Sequence, residues 1–230
     1  MDIIETLKHI PITTYVFFGL FIAAAIVQIV FAVLEKEKLR RIEKCFCLFF
    51  LFMGAVFAVP TFPTLYVGIL LSLIGDLLLI FKKRNIYFYV GSLCFALSHI
   101  CYLISIILIV GAELSWYMYV VAFVLMIMFY LATTFLIAKR LTKSGFEQYT
   151  MMAYFSILFF NFIVMILSIT VHPVYLFITA IGSLMFTISD SVIVYNKFYK
   201  PFKKAEFVVM STYLLAQMLI VIGMILTLLK

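Results

Sequence analysis

Eight apolar runs of about twenty residues follow one another along the chain, with short polar segments between them. A helix needs about 17–25 residues to cross the hydrocarbon core of a bilayer, whereas membrane β-strands show about ten residues of alternating polarity. The pattern therefore predicts an all-α, polytopic membrane protein with about eight transmembrane helices, which form a single integral domain over residues 1–230. The predicted spans are residues 14–34, 45–61, 64–81, 86–110, 115–138, 149–171, 173–195 and 205–229.

Basic residues occupy alternate connections between these runs. The first connection, residues 35–44, holds five Lys or Arg, and the third, fifth and seventh hold three, three and four. The second, fourth and sixth hold none. Under the positive-inside rule, the basic connections face the cytoplasm and both termini face outward. The Phe-, Ile- and Lys-rich usage favours a bacterial cell membrane.

The amino-acid composition supports assignment to the membrane proteins and argues against a nucleic-acid partner. The chain is 67% hydrophobic and 12% charged, whereas a soluble domain is about 45–50% apolar and about 25% charged. The net charge of +7 does not indicate a nucleic-acid partner, because the basic residues lie in short connections where they set topology and meet anionic lipid headgroups. The four cysteines lie in or beside apolar runs and are interpreted as small buried hydrophobes.

Two aspartates stand inside predicted spans, Asp76 in the third and Asp190 in the seventh. An ionisable side chain at membrane depth costs about 2.5–3.5 kcal/mol on insertion scales, and it therefore suggests a functional site. Counted from the basic connections, both lie about 9–10 Å inside the same boundary, so they can share a cavity. The alternative is that each carboxyl only bonds a neighbouring hydroxyl and locks the bundle.

The spacing of these aspartates also predicts a parallel repeat of two four-helix units. Asp76 and Asp190 are 114 residues apart, and each follows a glycine by eight residues. Each is followed by apolar, then aromatic and basic residues, LLLIFKKR in one case and SVIVYNKF in the other. A chance likeness between two spans that end at the same interface is the alternative explanation.

Other polar side chains recur on single helix faces in the fourth, sixth and eighth spans. Buried hydroxyls and amides need hydrogen-bonding partners, and convergence on a common polar cleft would supply them. A histidine beside a tyrosine can equally be a satisfied core residue, and tyrosine is common at membrane interfaces. The residues are His99, Tyr102, Tyr154, Asn161, Tyr213 and Gln217. Motifs for serine-nucleophile hydrolysis, zinc proteases and phosphate-binding loops are absent.

Taken together, these positions resemble the YhhN-like lysoplasmalogenases. The likeness runs from Gly68 to the C-terminus, and the first two spans follow by layout. The positions that carry it are Gly75-Asp76, Gly91, Phe95, His99, Tyr102, Gly182, Phe186, Ser189-Asp190, Lys197-Phe198, Tyr213 and Gln217. The chain departs from the family pattern at Lys44-Cys45, where Lys-Pro is frequent, and at Asn161, where methionine is usual. The second departure predicts an altered pocket lining or substrate preference.

The resemblance implies an eight-span enzyme that hydrolyses the sn-1 vinyl ether of lysoplasmalogens, a class of lysophospholipid. The products would be a fatty aldehyde and glycerophosphocholine or glycerophosphoethanolamine. This reaction needs one neutral carboxyl as acid and one ionised carboxyl as base or cation stabiliser, as in a glycosidase. Asp76 and Asp190 would fill these catalytic roles, in either order, without a metal or another cofactor.

Further residues would bind the substrate and orient water. The expected orienting residues are His99, Tyr102, Tyr154, Asn161, Ser189, Tyr213 and Gln217. Cations in the third connection would attract the phosphate of the headgroup, although topology is their default role. These are Lys82, Lys83 and Arg84.

Three other functions fit parts of the pattern. A proton-coupled lipid or small-molecule transporter would also use intramembrane carboxylates. A non-catalytic lipid sensor or assembly partner would keep its lipid binding after loss of both aspartates. A metal hydrolase would combine both aspartates with His99, but a depth difference of about 10 Å along the helices counts against it.

Overall fold

The computed structural model describes residues 10–80, 85–138, 145–198 and 200–230, and within these ranges the chain is helical, with no strand. The all-α prediction is thereby confirmed. The helices are α1 (Ile12–Val33), α2 (Glu37–Ala58), α3 (Pro63–Ile80), α4 (Asn85–Val110), α5 (Trp116–Ala138), α6 (Gly145–Ser168), α7 (Pro173–Phe198) and α8 (Ala205–Leu228). A short 3-10 turn, Gly111–Glu113, follows α4.

Seven of these eight helices are long and apolar enough to cross a membrane. The exception is α2, because six of its first eight residues are charged. The predicted start of this span at Cys45 was wrong for the helix, which begins eight residues earlier, at Glu37. Consequently Lys44 lies within a helix and not in a connection. The other helices begin and end within four residues of the predicted spans.

Consecutive helices pack as antiparallel pairs, α1 with α2, α3 with α4, α5 with α6 and α7 with α8. The first, third, fifth and seventh helices therefore finish at one end of the bundle, called the basic end here after its adjoining connections. Helix α8 contacts α1, α2 and α4 as well as α7, and 61% of its apolar stretch is buried, against 6% for α5. The core thus surrounds α8, and α5 lies at the periphery.

The hairpins α3–α4 and α7–α8 pack in the same register. Contacts within the first hairpin recur within the second with both partners displaced by 114 residues. The matched contacts are Gly68–Tyr102 with Gly182–Ala216, and Gly75–Phe95 with Ser189–Val209. This shared register supports the predicted repeat across these two hairpins, and it gives Asp76 and Asp190 equivalent positions.

Gly182 allows α7 and α8 to approach closely. A Cβ atom there would lie 2.8 Å from the backbone nitrogen of Ile220 and 2.9 Å from the backbone oxygen of Ala216. Because backbone atoms cannot rotate away, Gly182→Ala should lower the free energy of unfolding by about 1–3 kcal/mol. Thermal unfolding in detergent measures this, with Gly19→Ala as the control because nothing lies within 4 Å of a Cβ at that position. An equal loss of stability in both variants would contradict the packing argument.

Candidate active site

A small cleft, partly open to the surroundings, lies toward the basic end of the bundle. Helices α2, α3, α4, α6, α7 and α8 all contribute to its lining. Its polar lining residues are Lys44, Ser92, Tyr154, Asp190 and Tyr213. The rest of the lining is apolar and comes mainly from α4 and α7. The cleft therefore combines a small polar cluster with apolar walls, as a site for an amphipathic molecule would.

Asp190 is the carboxyl that faces this cleft. Its residue is 8% exposed, and it stands in the lining on α7. The Tyr154 hydroxyl on α6 donates a hydrogen bond to Asp190 Oδ2. Within the described ranges, the other carboxyl oxygen accepts no hydrogen bond from the protein. Asp190 is thus held by one neutral donor and keeps an oxygen available to a molecule in the cleft.

Asp76 lies behind the cleft lining, and its residue is only 1% exposed. The Lys44 ammonium lies 2.6 Å from Asp76 Oδ1, and the Tyr213 hydroxyl donates to Oδ2 at 2.9 Å. The same ammonium stands 4.8 Å from the centre of the Tyr213 ring. A buried charge is tolerated when it is paired and hydrogen-bonded in this way. Asp76 therefore acts on the cleft through Lys44 and Tyr213, which both line it.

The two predicted catalytic carboxyls thus lie at the same end of the bundle, in equivalent positions of their hairpins but with different surroundings. The Lys44–Asp76 pair lies beside Asp190, since Lys44 and Asp190 both line the cleft. Only Asp190 has direct access to the cleft. The arrangement differs from two carboxylates that face each other across an open cavity.

A deeper hydrogen-bond network lies one helical turn further into the bundle. The Tyr102 hydroxyl donates to Gln217 Oε1 at 2.8 Å, and Gln217 Nε2 donates to Ser72 Oγ at 3.0 Å. Ser72 Oγ and Ser98 Oγ are 2.8 Å apart. All four side chains are buried, and these contacts give each of them a partner. Tyr102 and Gln217, predicted to orient the substrate, are instead bonded to protein groups behind the cleft.

His99 and Asn161 also lie behind the cleft. Asn161 Nδ2 donates to the backbone oxygen of His99 at 2.5 Å, which ties α6 to α4. The His99 ring packs against Phe186, with centroids 4.2 Å apart, and Phe186 in turn packs against Tyr213 at 5.5 Å. Neither imidazole nitrogen has a hydrogen-bond partner among the described residues. An aromatic ring therefore separates His99 from the ion-paired carboxylate.

Ser189 was predicted as an orienting residue beside Asp190, but it points elsewhere. Its hydroxyl donates to the backbone oxygen of Val209 at 3.2 Å, and its side chain is buried between α7 and α8. Of the seven predicted orienting residues, Tyr154 and Tyr213 are the two that line the cleft. The basic residues Lys82, Lys83 and Arg84 lie outside the described residues.

The cysteines contribute packing. Cys47 is buried, the other three are partly buried, and all four are free thiols. They are Cys45, Cys47, Cys94 and Cys101. In the part of the chain that the structure describes, no group of three or more His, Cys, Asp or Glu side chains is placed to hold a metal ion.

A protein-family model described as the YhhN family matches residues 39–224. The matched range extends from the first turn of α2 to the last turns of α8, which is well over half of the chain. The chain belongs to the YhhN family. This is the family of lysoplasmalogenases, so the resemblance seen in the sequence is confirmed. No curated protein and no solved structure matches the chain significantly.

Lys44 was not among the predicted site residues of this YhhN protein. It stood out only as part of a dipeptide that departs from the family pattern. One usable signal was its place as the last charged residue before the apolar part of α2. The level of Lys44, seven residues into α2, matches that of Asp76, four residues before the end of α3. Two antiparallel neighbours with opposite charges at one level are an expected ion pair.

Proposed function

We propose that this YhhN protein hydrolyses the sn-1 vinyl ether bond of lysoplasmalogens within the membrane. The products are a fatty aldehyde and glycerophosphocholine or glycerophosphoethanolamine. The observation that carries the proposal is a carboxyl, Asp190, in the lining of a largely apolar cleft, with the Lys44–Asp76 ion pair beside it. Membership of the family of lysoplasmalogenases supports the choice of substrate class.

The chemistry of the bond suits carboxyl groups. A proton adds to the β-carbon of the vinyl ether, the π electrons form the new C–H bond, and the ether oxygen stabilises the resulting oxocarbenium ion. Water adds to the cationic carbon and loses a proton, which gives a hemiacetal that separates into aldehyde and glycerol hydroxyl. Positioned carboxyls can donate the first proton and accept the second, as in glycosidases. Asp76 and Asp190 are the two carboxyls of the proposed site, and this mechanism requires no cofactor.

The lining of the cleft fits a lysophospholipid. Leu79, Phe88, Ile193 and Val194 give apolar surface for the alkenyl chain. We propose that the headgroup lies toward the basic end, at the cytoplasmic side of a bacterial cell membrane, with both termini outside. Cations at that end, including those of residues 82–84, would attract its phosphate.

A panel of lysolipids tests this function with the purified protein in detergent. We expect aldehyde and a glycerophospho-base from 1-alkenyl lysolipids, measured by mass spectrometry. The matched 1-alkyl lysolipid has the same shape but no double bond to protonate, so it should give no product. Failure to cleave any alkenyl substrate, or equal cleavage of the alkyl control, would contradict the proposal.

A proton-coupled lipid or small-molecule transporter is the second candidate. The intramembrane ion pair beside a second carboxyl favours it, because carriers use such groups to couple proton movement. It predicts substrate-dependent proton flux into liposomes without any aldehyde. Product formation without flux would favour the hydrolase.

A further inference from the structure

The two buried aspartates differ in what surrounds them. Asp76 is ion-paired with an ammonium at one oxygen, accepts a hydrogen bond from a hydroxyl at the other, and is almost fully enclosed. Asp190 accepts from one hydroxyl and borders the cleft. We propose that the Lys44–Asp76 ion pair fixes a division of labour, in which Asp76 stays ionised and Asp190 carries the proton that is donated to the substrate. This inference rests on the proposed hydrolase function and assigns the roles within it.

The contacts of Asp76 require its charge. A proton on Oδ1 would displace the Lys44 ammonium from 2.6 Å, and a proton on Oδ2 would compete with the Tyr213 hydroxyl. The Lys44 side chain is only 13% exposed, so loss of its counterion would leave a poorly hydrated cation. Removing one partner of a buried pair is strongly unfavourable for this reason. Asp76 is therefore the anionic member of a neutral pair.

The surroundings of Asp190 favour a neutral carboxyl. Among the described residues, the charged groups near it are Lys44 from α2 and Asp76 from α3, and these two are paired with each other. The facing hydroxyls are Tyr154 from α6 and Tyr213 from α8, whereas α4 presents no titratable side chain to the cleft. A carboxyl beside apolar walls and without a counterion of its own is more stable when it is protonated. Its unbonded oxygen can hold that proton toward the substrate.

With these roles, Asp190 completes the proton cycle alone. It donates its proton to the β-carbon of the vinyl ether and becomes a carboxylate beside the oxocarbenium ion. Water then adds to the cationic carbon, and its released proton returns to Asp190. Asp76 and Lys44 exchange no proton with the substrate. They are positioning residues that keep the charge beside Asp190 balanced.

A charge-balance experiment separates this assignment from a symmetric pair of carboxyls. Asp76→Asn leaves the Lys44 ammonium unbalanced, which favours loss of the Asp190 proton and should lower kcat by about 100-fold. The double variant Lys44→Met/Asp76→Asn removes both charges and should regain at least about tenfold of that loss. Lys44→Met combined with Asp190→Asn should regain nothing, because the proton donor itself is missing. If Asp76 reacted directly, the Lys44→Met/Asp76→Asn variant would stay as inactive as Asp76→Asn, and the inference would be overturned.

Infrared spectroscopy of the purified protein gives a readout that does not need a substrate. At neutral pH, we expect the carbonyl stretching band of a protonated carboxyl in the wild type and in Lys44→Met/Asp76→Asn, and its absence in Asp190→Asn. Persistence of the band in Asp190→Asn would overturn the assignment. Because this test is independent of turnover, it stays decisive even when no lysoplasmalogen is cleaved.

Matched controls test whether a loss of activity comes from unfolding of the variant. Lys36→Met removes an exposed lysine eight residues before Lys44 and should leave kcat and the infrared band unchanged. Each variant should elute as the wild type does in size-exclusion chromatography. If Lys44→Met/Asp76→Asn does not fold, Lys44→Gln/Asp76→Asn makes the same charge change with a polar side chain, and it is held to the same outcomes.

Discussion

Replacing Asp190 with asparagine is expected to lower kcat for lysoplasmalogen hydrolysis by about 10³-fold, within the range that general acid–base catalysis contributes. The asparagine side chain has nearly the same volume and can still accept the hydrogen bond from Tyr154. It has no acidic proton to give to the β-carbon. Initial rates of aldehyde release measure the effect.

The loss in Asp190→Asn should come without a large loss of stability, because the substitution removes no ion pair. The thermal unfolding midpoint should therefore remain close to that of the wild type. Glu113→Gln is the matched carboxyl-to-amide control. Glu113 is exposed in the 3-10 turn that follows α4, at the end of the bundle opposite the basic end. Wild-type activity in Asp190→Asn would exclude Asp190 as the proton donor.

Asp76→Asn is expected to lower both activity and stability. It leaves the Lys44 ammonium without its counterion, and breaking a buried pair by removing one partner costs about 3–5 kcal/mol. The same unbalanced charge stands beside Asp190 and should reduce kcat by about 100-fold. The thermal unfolding midpoint and initial rates measure the two effects on one preparation.

A second ion pair, which joins α2 to α8, supplies the control for Asp76→Asn. Arg40 pairs with Glu206, and the side chains are 10% and 46% exposed, so this pair is only half buried, whereas the Asp76 side chain of the first pair is fully enclosed. Glu206→Gln should therefore lower stability less than Asp76→Asn does, and it should keep its kcat because neither Arg40 nor Glu206 lines the cleft. If Asp76→Asn were as stable and active as Glu206→Gln, the ion pair with Lys44 would have no role in the site.

The helices could be predicted well because lipid imposes a strict length and polarity on each of them. The start of α2 was missed because the charged stretch from Glu37 to Lys44 looks like a connection. Glu, Lys and Arg are good helix formers, so a charged stretch can be helical without being apolar. Hydropathy predicts where the apolar part of a helix begins, but it does not predict where the helix itself begins.

The candidate site could be predicted in part. Position along a span gives the depth of a residue, and depth alone is enough to place Asp76 and Asp190 at one level. Depth does not give the rotation of a helix about its axis, so it could not indicate that Asp190 faces the cleft and Asp76 faces Lys44. The stripe shared by His99 and Tyr102 was a real helix face, and their rings pack at 5.7 Å. That face meets Phe186 instead of the cleft.

The proposed mechanism depends on proton transfer to carbon, and this step leaves a label. Hydrolysis of a 1-alkenyl lysolipid in D2O, with immediate reduction of the aldehyde to an alcohol, fixes the label for mass spectrometry. The proposed mechanism predicts one deuterium on the carbon next to the former carbonyl carbon, with aldehyde incubated in D2O as the exchange control. A product without deuterium at that carbon would show that the bond is cleaved without protonation of the vinyl ether, which would contradict this mechanism.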